Sequence, residues 1–486
     1  MSQDGRRRWS APSPVTVARA VRAFVVGCLL SGGAGAGAVS AAVFSPESVT
    51  LPNGLQVVVI ENHRLPVVRQ MVFYRVGAAD DPPRKSGLAH YLEHLMFKGT
   101  ETLAPGEFSK IVARNGGRDN AYTTHDTTAF YQTVAKDRLE LIMRIEADRM
   151  ANLAIDPKEA VPELQVVIEE RRARVDNRPG SQLDEHLAAT LYMNHPYRVP
   201  VIGWRHEIET LTVEDALDFY RRHYAPNNAI LVVAGDVTME EVRPLAEKYY
   251  GAIPANPGIG PRVRLSEPPQ RAARRVSMRS DRVSEARWSR DYLAPSNAAG
   301  ATRHVPALEV LSVILGGGAT SRLYRSLVIE RKLALSVRAY YDSDLLGPSS
   351  FALYARPQPS ATLEALEEAI DAEIAKVVAE GVGDDEVAAA RKRLLAGAVF
   401  ARDSLGRGAI VIGTALTTGQ TIEAVETWPD RIKAVTPAAI LAAAGHVLRP
   451  ERSVTGLLLP ADAADRRNEA SRAGEGERAK PDSGLR

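Results

Sequence analysis

Two parts of the chain repeat at a nearly constant separation, and this repeat constrains the fold more than any other feature of the sequence. A threonine that opens a predicted helix, a leucine five residues later and a proline fourteen residues later occur twice, 224 residues apart: Thr212, Leu217 and Pro226, then Thr436, Leu441 and Pro450. Strand-like runs follow at 229–234 and 453–459. A second match, at a separation of 220 residues, aligns 308–320 (LEVLSVILGGGAT) with 88–100 (LAHYLEHLMFKGT). Chance similarity is the alternative for such short matches, but two matches at nearly one separation favour an internal duplication.

Strand-like and helix-like segments alternate along the chain. Valine-rich or alternating runs predict three strands in the first third of the sequence: 54–60, 67–74 and 120–134. A long helix is predicted over 157–176, beginning either at Pro157, where a first-turn proline is tolerated, or at Pro162. This mixture predicts an α+β fold built in layers.

A segment rich in proline and glycine separates the repeated parts. Residues 254–269 contain five prolines and two glycines, a composition typical of a linker. We therefore predict two related α/β domains, residues 46–255 and 271–460, joined by a linker at 256–270.

Both ends of the chain are predicted to lie outside the folded part. Arginines in the first 22 residues precede an apolar run at 23–30, and small residues follow up to Ala42, an order typical of a secretory signal peptide. We predict that residues 1–42 are removed on export to the periplasm and that the mature chain has no membrane span, because the apolar run is shorter than the ~20 residues that a span needs. An uncleaved anchor and a lipid attached at Cys28 are the alternatives. Residues 461–486, charged and poor in apolar side chains, predict a disordered tail.

Composition excludes two kinds of function. Cys28 is the only cysteine and lies in the predicted signal peptide, so the mature chain would have no thiol for catalysis, disulfides or metal binding. The net charge is +2, with no stripe of basic residues among aromatic ones, so nucleic-acid binding is not expected. Any bound metal would need histidine, aspartate or glutamate ligands.

The sequence HYLEH at residues 90–94 lies in an otherwise apolar helix predicted over 86–97. His90 and His94 are four residues apart and share one face of that helix, so both imidazoles can bind one zinc ion. Glu93 lies about 60° from this face, where its carboxylate can accept a proton from a water on the zinc. Two surface histidines beside a glutamate are the alternative, but three polar side chains on a buried helix need partners, and a metal ion would satisfy all three.

A catalytic zinc site needs a third protein ligand. Residues 163–170 (ELQVVIEE) have a helical period that places Glu163 and Glu170 on one face, with Glu169 about 100° from Glu170. Spacing alone does not choose between Glu163 and Glu170, and a solvent-exposed helix face is the alternative for each.

In combination, five motifs resemble those of the inverzincin peptidases, the family of pitrilysin, insulin-degrading enzyme and mitochondrial processing peptidase. They are PNGLQVVVIEN at 52–62, HYLEHLMFKGT at 90–100, NAYTT at 120–124, the glutamate helix at 163–170 and GGGATSRLY at 316–324. The resemblance extends over about residues 48–460. It implies a zinc endopeptidase of unfolded peptides or small polypeptides, whose two sandwich (roll) domains of the same fold enclose a chamber. At the 220-residue separation the second half has apolar residues in place of the motif: Val310, Val313 and Ile314.

The resemblance also implies roles for individual residues. One zinc ion per chain would be bound by His90, His94 and Glu170. Glu93 would be the catalytic base, and Glu163 would support the site without binding the metal. The first domain would thus carry the zinc, and the second would be a degenerate copy without a site.

Two further segments correspond to the family's substrate-binding parts. Four residues match the edge strand that pairs with an extended substrate: Asn120, Ala121, Tyr122 and Thr123. In the second half, Val328 and Leu335 occupy the positions of an arginine and a tyrosine that contact substrate near the zinc in active single-chain members. Neither can donate a hydrogen bond, so the resemblance implies a heterodimer in which a homologous partner subunit supplies the pair. The alternatives are a non-catalytic assembly subunit, or an autonomous homodimer that uses other residues: Arg322, Tyr324 and Arg325.

Overall fold

The computed structural model describes residues 43–461. The predicted signal peptide and the predicted tail beyond residue 461 lie outside the described residues. The first half contains strands β1–β6 (Glu47–Thr50, Gln56–Glu61, Val67–Tyr74, Arg118–Thr123, Thr128–Ala135, Ala229–Gly235) and helices α1–α8 (Leu88–Leu95, Glu107–Arg114, Leu139–Ala151, Pro157–Arg171, Pro179–Leu191, Arg205–Ile208, Val213–His223, Met239–Tyr249). The second contains β7–β11 (Arg274–Ser280, Arg287–Ala294, Ala334–Tyr341, Ser349–Pro357, Ser453–Pro460) and α9–α15 (Val305–Gly316, Leu363–Glu380, Asp384–Arg402, Leu405–Thr417, Ile422–Glu426, Trp428–Lys433, Pro437–Val447).

The two sheets have equivalent strand orders. The first is β1-β2-β6-β3-β5-β4 and the second is β7-β11-β8-β10-β9. Apart from β1, each begins with one parallel pair, β2 with β6 and β7 with β11, and continues with antiparallel pairs. The α+β prediction of two related halves is therefore confirmed.

Each sheet is buried on both faces, one of them by a helix from the other half. Side chains alternate along β2, so Val57 packs against the first half's own helices whereas Val58 packs against α12 of the second half. Reciprocally, α5 of the first half packs its leucines on β11 of the second. The contact with α12 is close: a Cβ at Gly413 would lie 2.2 Å from the Phe73 ring. Strands buried on both faces need continuous apolar runs, which is why AILVVA at 229–234 does not alternate.

The predicted linker is an extended segment that is held along its length. Arg262 pairs with Asp80 at 2.8 Å, and its guanidinium also donates to the carbonyl of Thr417 in the second half at 3.2 Å. Arg264 pairs with the buried Asp126 at 3.0 Å. These contacts join the segment to both halves.

One prediction of secondary structure is wrong in detail. The single strand over 120–134 is two strands, β4 and β5. The Thr124 hydroxyl accepts hydrogen bonds from the N–H groups of Asp126 and Thr127, at 3.2 and 3.0 Å, and so stabilises a turn between them. Helix α4 begins at Pro157, the earlier of the two starts left open by the sequence, and Pro162 lies inside it. None of the helices within residues 43–461 combines the length and apolarity that crossing a bilayer requires.

Candidate metal centre

Helix α1, which carries the HYLEH motif, starts at a capping aspartate that the sequence analysis missed. The Asp81 carboxylate accepts hydrogen bonds from the N–H groups of Gly87 and Ala89, both at 2.8 Å, and these are groups that a helix start leaves unpaired. Burial raises the pKa of Asp81 to about 8, against the opposite effect of these hydrogen bonds. Gly87 has φ +86°, and a Cβ there would lie 2.5 Å from the carbonyl oxygen of Ile202. The aspartate lies too far before the helix for any local spacing to have indicated it.

Three side chains from two helices converge. The imidazole centroids of His90 and His94 on α1 are 4.9 Å apart. From α4, the Oε2 atom of Glu170 lies 3.2 Å from Nε2 of His94 and 3.8 Å from Nε2 of His90. One ligand atom of each residue lies within 4.8 Å of the other two. Within residues 43–461, no other group of three histidine, cysteine, aspartate or glutamate side chains converges in this way.

The three side chains perturb one another's ionisation. Burial lowers the pKa of His90 to about 4, which leaves its imidazole neutral. Burial alone would also lower the pKa of His94, but hydrogen bonds to Glu163 and Glu170 raise it to about 9. The pKa of Glu170 is lowered, chiefly by its hydrogen bond to His94. Two imidazole nitrogens and one carboxylate oxygen are the ligand set of a catalytic zinc site that keeps one position open.

Glu163 lies on the opposite side of the His94 ring from Glu170. Its Oε1 atom lies 2.8 Å from Nδ1 of His94, and Nζ of Lys98 lies 2.5 Å from its Oε2. Both ring nitrogens of His94 thus face a carboxylate oxygen, and loss of the Nε2 proton would leave Nε2 available to a metal while Nδ1–H still donates to Glu163. The Nδ1 atom of His90, in contrast, is buried without a hydrogen-bond partner among the described residues.

Glu93 links the motif helix to the edge strand. The Thr123 hydroxyl of β4 donates a hydrogen bond to its Oε2 atom at 2.6 Å, and burial raises the pKa of Glu93. The four predicted substrate-binding residues, Asn120, Ala121, Tyr122 and Thr123, lie on β4 at the edge of the sheet. They line a cleft of about 920 Å³ together with His90, Glu93, His94, Glu163 and Glu170.

The end of α4 contains two arginines that sequence reasoning did not single out. Arg171 is buried and forms a two-pronged pair with Glu185, at 2.8 and 2.9 Å. A π-helical turn, Arg172–Asp176, follows. Within it, Arg174 lies 2.6 Å from the Oε1 atom of Glu170 and lines the cleft. The cluster of arginines after the glutamates was visible in the sequence, but its pairing was not.

The residues singled out in the second half do not line this cleft. Val328 lies in a π-helical turn, Tyr324–Glu330, and Leu335 lies at the start of β9. Of the suggested replacements, Arg322 pairs with Glu386, with both contacts at 2.6 Å. The structure therefore brings no substitute for the missing pair from this segment to the metal centre.

Comparison with known proteins identifies relatives over most of the chain. Residues 56–204 match the family described as Insulinase (Peptidase family M16), and residues 210–394 match the Peptidase M16 inactive domain. The zinc protease PqqE of Helicobacter pylori is 36% identical over 335 residues, which cover 68% of this chain and 74% of that protein. An uncharacterized zinc protease of Streptomyces coelicolor is 32% identical over 421 residues, covering 84% of this chain and 89% of the relative.

Solved structures show the same fold. A protease from Helicobacter pylori superimposes with a TM-score of 0.80 at 31% identity, covering 85% of this chain and 99% of the other. The first half of the periplasmic protease PqqL from Escherichia coli superimposes with a TM-score of 0.74 at 19% identity, covering 91% and 98% of the two chains.

Proposed function

Since the chain belongs to peptidase family M16, the insulinase family, we propose that it is a zinc-dependent endopeptidase that hydrolyses unfolded peptides or small polypeptides. The observation that supports this most directly is the convergence of His90, His94 and Glu170 beside Glu93 in one cleft. A metal ion there would pair with all three side chains at once.

The residues divide the chemistry among them. Nε2 of His90, Nε2 of His94 and Oε2 of Glu170 would hold the ion. Zinc, when bound, polarises a peptide carbonyl and lowers the pKa of water. Glu93 takes a proton from the attacking water and delivers it to the leaving amine, and its raised pKa suits both transfers. Glu163 keeps the His94 imidazole oriented.

The edge strand supplies the substrate's binding site in this proposal. β4 pairs only with β5 among the described strands, so the main-chain groups of its outer edge are available to an extended peptide. Residues Asn120 to Thr123 would bind the peptide backbone, and the hydrogen bond from Thr123 to Glu93 places the end of this strand beside the base. A chain must be extended to pair in this way, which favours unfolded substrates.

We further propose that the chain acts in the periplasm as the zinc-bearing subunit of a heterodimer. Val328 and Leu335 cannot donate hydrogen bonds, so a homologous partner would supply an arginine and a tyrosine to the substrate. The same observation favours a second candidate, a non-catalytic assembly subunit of this fold. A chain that binds zinc but hydrolyses nothing, alone or with its partner, would support that candidate.

Metal analysis and peptide hydrolysis test the proposal together. The mature protein should contain one zinc per chain, and His90→Ala or Glu170→Ala should lower the content sharply. Glu169→Gln is the matched control, because Glu169 is exposed and pairs with Arg172 instead. Full zinc in both ligand variants would exclude the assignment.

Glu93→Gln should retain zinc and lose hydrolysis. The amide has nearly the same shape but cannot accept the water's proton, and a general base contributes roughly 10²–10⁴-fold. Cleavage of an unstructured peptide at the parental rate would show that Glu93 is not the base.

A further inference from the structure

Two cationic side chains line the cleft, and they differ in how many of their N–H donors are available to a ligand. Nζ of Lys98 lies 2.5 Å from Glu163, and its side chain is 25% exposed. The Arg174 side chain is 68% exposed, and its one ion-pair partner within the described residues is Glu170. A guanidinium has five N–H donors, so most of those of Arg174 are available to a ligand in the cleft.

The backbone around Arg174 is fixed although its side chain is exposed. Arg171 on one side is buried and paired with Glu185, and Val175 on the other side is buried in the protein. Arg174 itself lies in the π-helical turn that ends α4. Such turns are rare and occur frequently at functional sites. The backbone that carries the Arg174 guanidinium at the cleft is therefore held in place by packing on both sides.

The position of Arg174 relative to Glu170 places it at the edge of the proposed metal site. Oε2 of Glu170 faces the two histidines, whereas Oε1 faces Arg174 at 2.6 Å. The guanidinium thus lies beside the point where the scissile peptide bond would be bound. Because Glu170 would share its negative charge with the metal, its hold on Arg174 would weaken.

We propose that Arg174 is a substrate-contacting residue that binds a carboxylate of the peptide next to the scissile bond. Arginine binds carboxylates through two parallel N–H groups. An exposed ion pair contributes about 0.2–1 kcal/mol, which corresponds to a preference of up to about fivefold. The carboxylate belongs either to an acidic side chain or to the peptide's C-terminus. This inference rests on the proposed peptidase function.

Equilibrium binding to the Glu93→Gln protein tests the inference without hydrolysis. The probes are fluorescent peptides that carry Glu or Gln beside the bond that the parental enzyme cleaves, each made as the free acid and as the C-terminal amide. The Glu peptide should bind about two- to fivefold more tightly than the Gln peptide, and salt should reduce the difference. An advantage of the free acid over the amide would identify the C-terminus as the carboxylate.

Arg174→Gln should abolish the preference, and Arg174→Lys should retain part of it. Arg172→Gln is the matched control, because Arg172 lies on the same turn, pairs with Glu169 and does not line the cleft. Zinc content is measured for every variant. Equal affinity for all peptides in the Glu93→Gln protein, or a preference that survives in the zinc-loaded fraction of Arg174→Gln, would overturn the inference and leave the peptidase proposal standing. Failure to bind any peptide would overturn both.

Discussion

Glu163→Gln measures how much of the proposed zinc affinity comes from a residue that does not bind the metal. The Glu163 carboxylate contacts Nδ1 of His94 at 2.8 Å with one oxygen and Nζ of Lys98 at 2.5 Å with the other. Glutamine has the same shape, but one end becomes an NH₂ donor. Whichever way the amide turns, a donor faces either the His94 N–H or the Lys98 ammonium, so one of the two hydrogen bonds is lost.

The size of the effect follows from what is lost. A hydrogen bond to a charged group contributes about 1.5–3 kcal/mol, and removal of a partner behind a metal-binding histidine typically costs 10- to 100-fold in metal affinity, or about 1.4–2.7 kcal/mol. The two ranges agree. The Nδ1 atom of His90 has no corresponding hydrogen-bond partner among the described residues. The zinc affinity should therefore depend strongly on the contact between Glu163 and His94, the one histidine of the pair that is held from behind.

Competition with a chelator of known zinc affinity is the assay. Glu163→Gln should shift the zinc dissociation constant upward by about 10- to 100-fold, while zinc content stays near one per chain in excess metal and hydrolysis falls further than content. Glu159→Gln is the control, since Glu159 lies one turn earlier on α4, lines the same cleft and has no ion-pair partner among the described residues. A dissociation constant equal to that of the control would refute the reasoning. A loss as severe as in Glu170→Ala would show instead that Glu163 binds the metal.

Three further predictions concern other parts of the chain. Burial, together with the nearby Asp184, raises the pKa of Asp291 to about 7, above its value of ~3.9 in an unfolded chain, so the parent protein should lose stability as the pH rises from about 4 to 7. The melting temperature of Asp291→Asn should therefore rise relative to that of the parent between pH 5 and pH 8. A difference in melting temperature that does not change with pH would exclude the ionisation of Asp291 as its cause. Mixing the chain with a homologous partner that carries the missing pair should raise hydrolysis by about 10²-fold or more; full activity of the lone chain would argue against the heterodimer. N-terminal sequencing of the exported protein should find residues 1 to about 42 removed, and a chain that begins at Met1 would contradict the signal peptide.

The candidate site could be predicted where its geometry is local. His90 and His94 share a helix face, so their meeting follows from the helical period alone. The choice between Glu163 and Glu170 did not follow from spacing, because both lie on one face of α4. In the structure they contact opposite nitrogens of the His94 ring, a distinction that depends on how α1 crosses α4. The resemblance favoured Glu170 as the ligand, and its role stays a prediction.

Features that depend on distant parts of the chain were missed. Asp81 caps α1 although it precedes Gly87, the residue before the helix, by six positions in the sequence. Arg171 pairs with Glu185 on the following helix, and that pairing fixes the turn that presents Arg174. The strand over 120–134 was predicted as continuous because the turn residues have the same mixture of threonine and polar side chains as the strands themselves. The two halves were recognised from the residue spacings that repeat between them, and the equivalent strand orders of the two sheets agree with that relation.

The exchange of α5 and α12 between the halves bears on how such a molecule could have arisen. Each helix covers one face of the other half's sheet, so neither half alone could keep both faces of its own sheet from water. An ancestor consisting of one half would have needed a second copy of itself, each lending a helix to the other, as in a domain-swapped homodimer. Fusion of two copies would have made that association independent of concentration. One copy would then have been free to lose its histidines while still serving as the structural counterpart of the other.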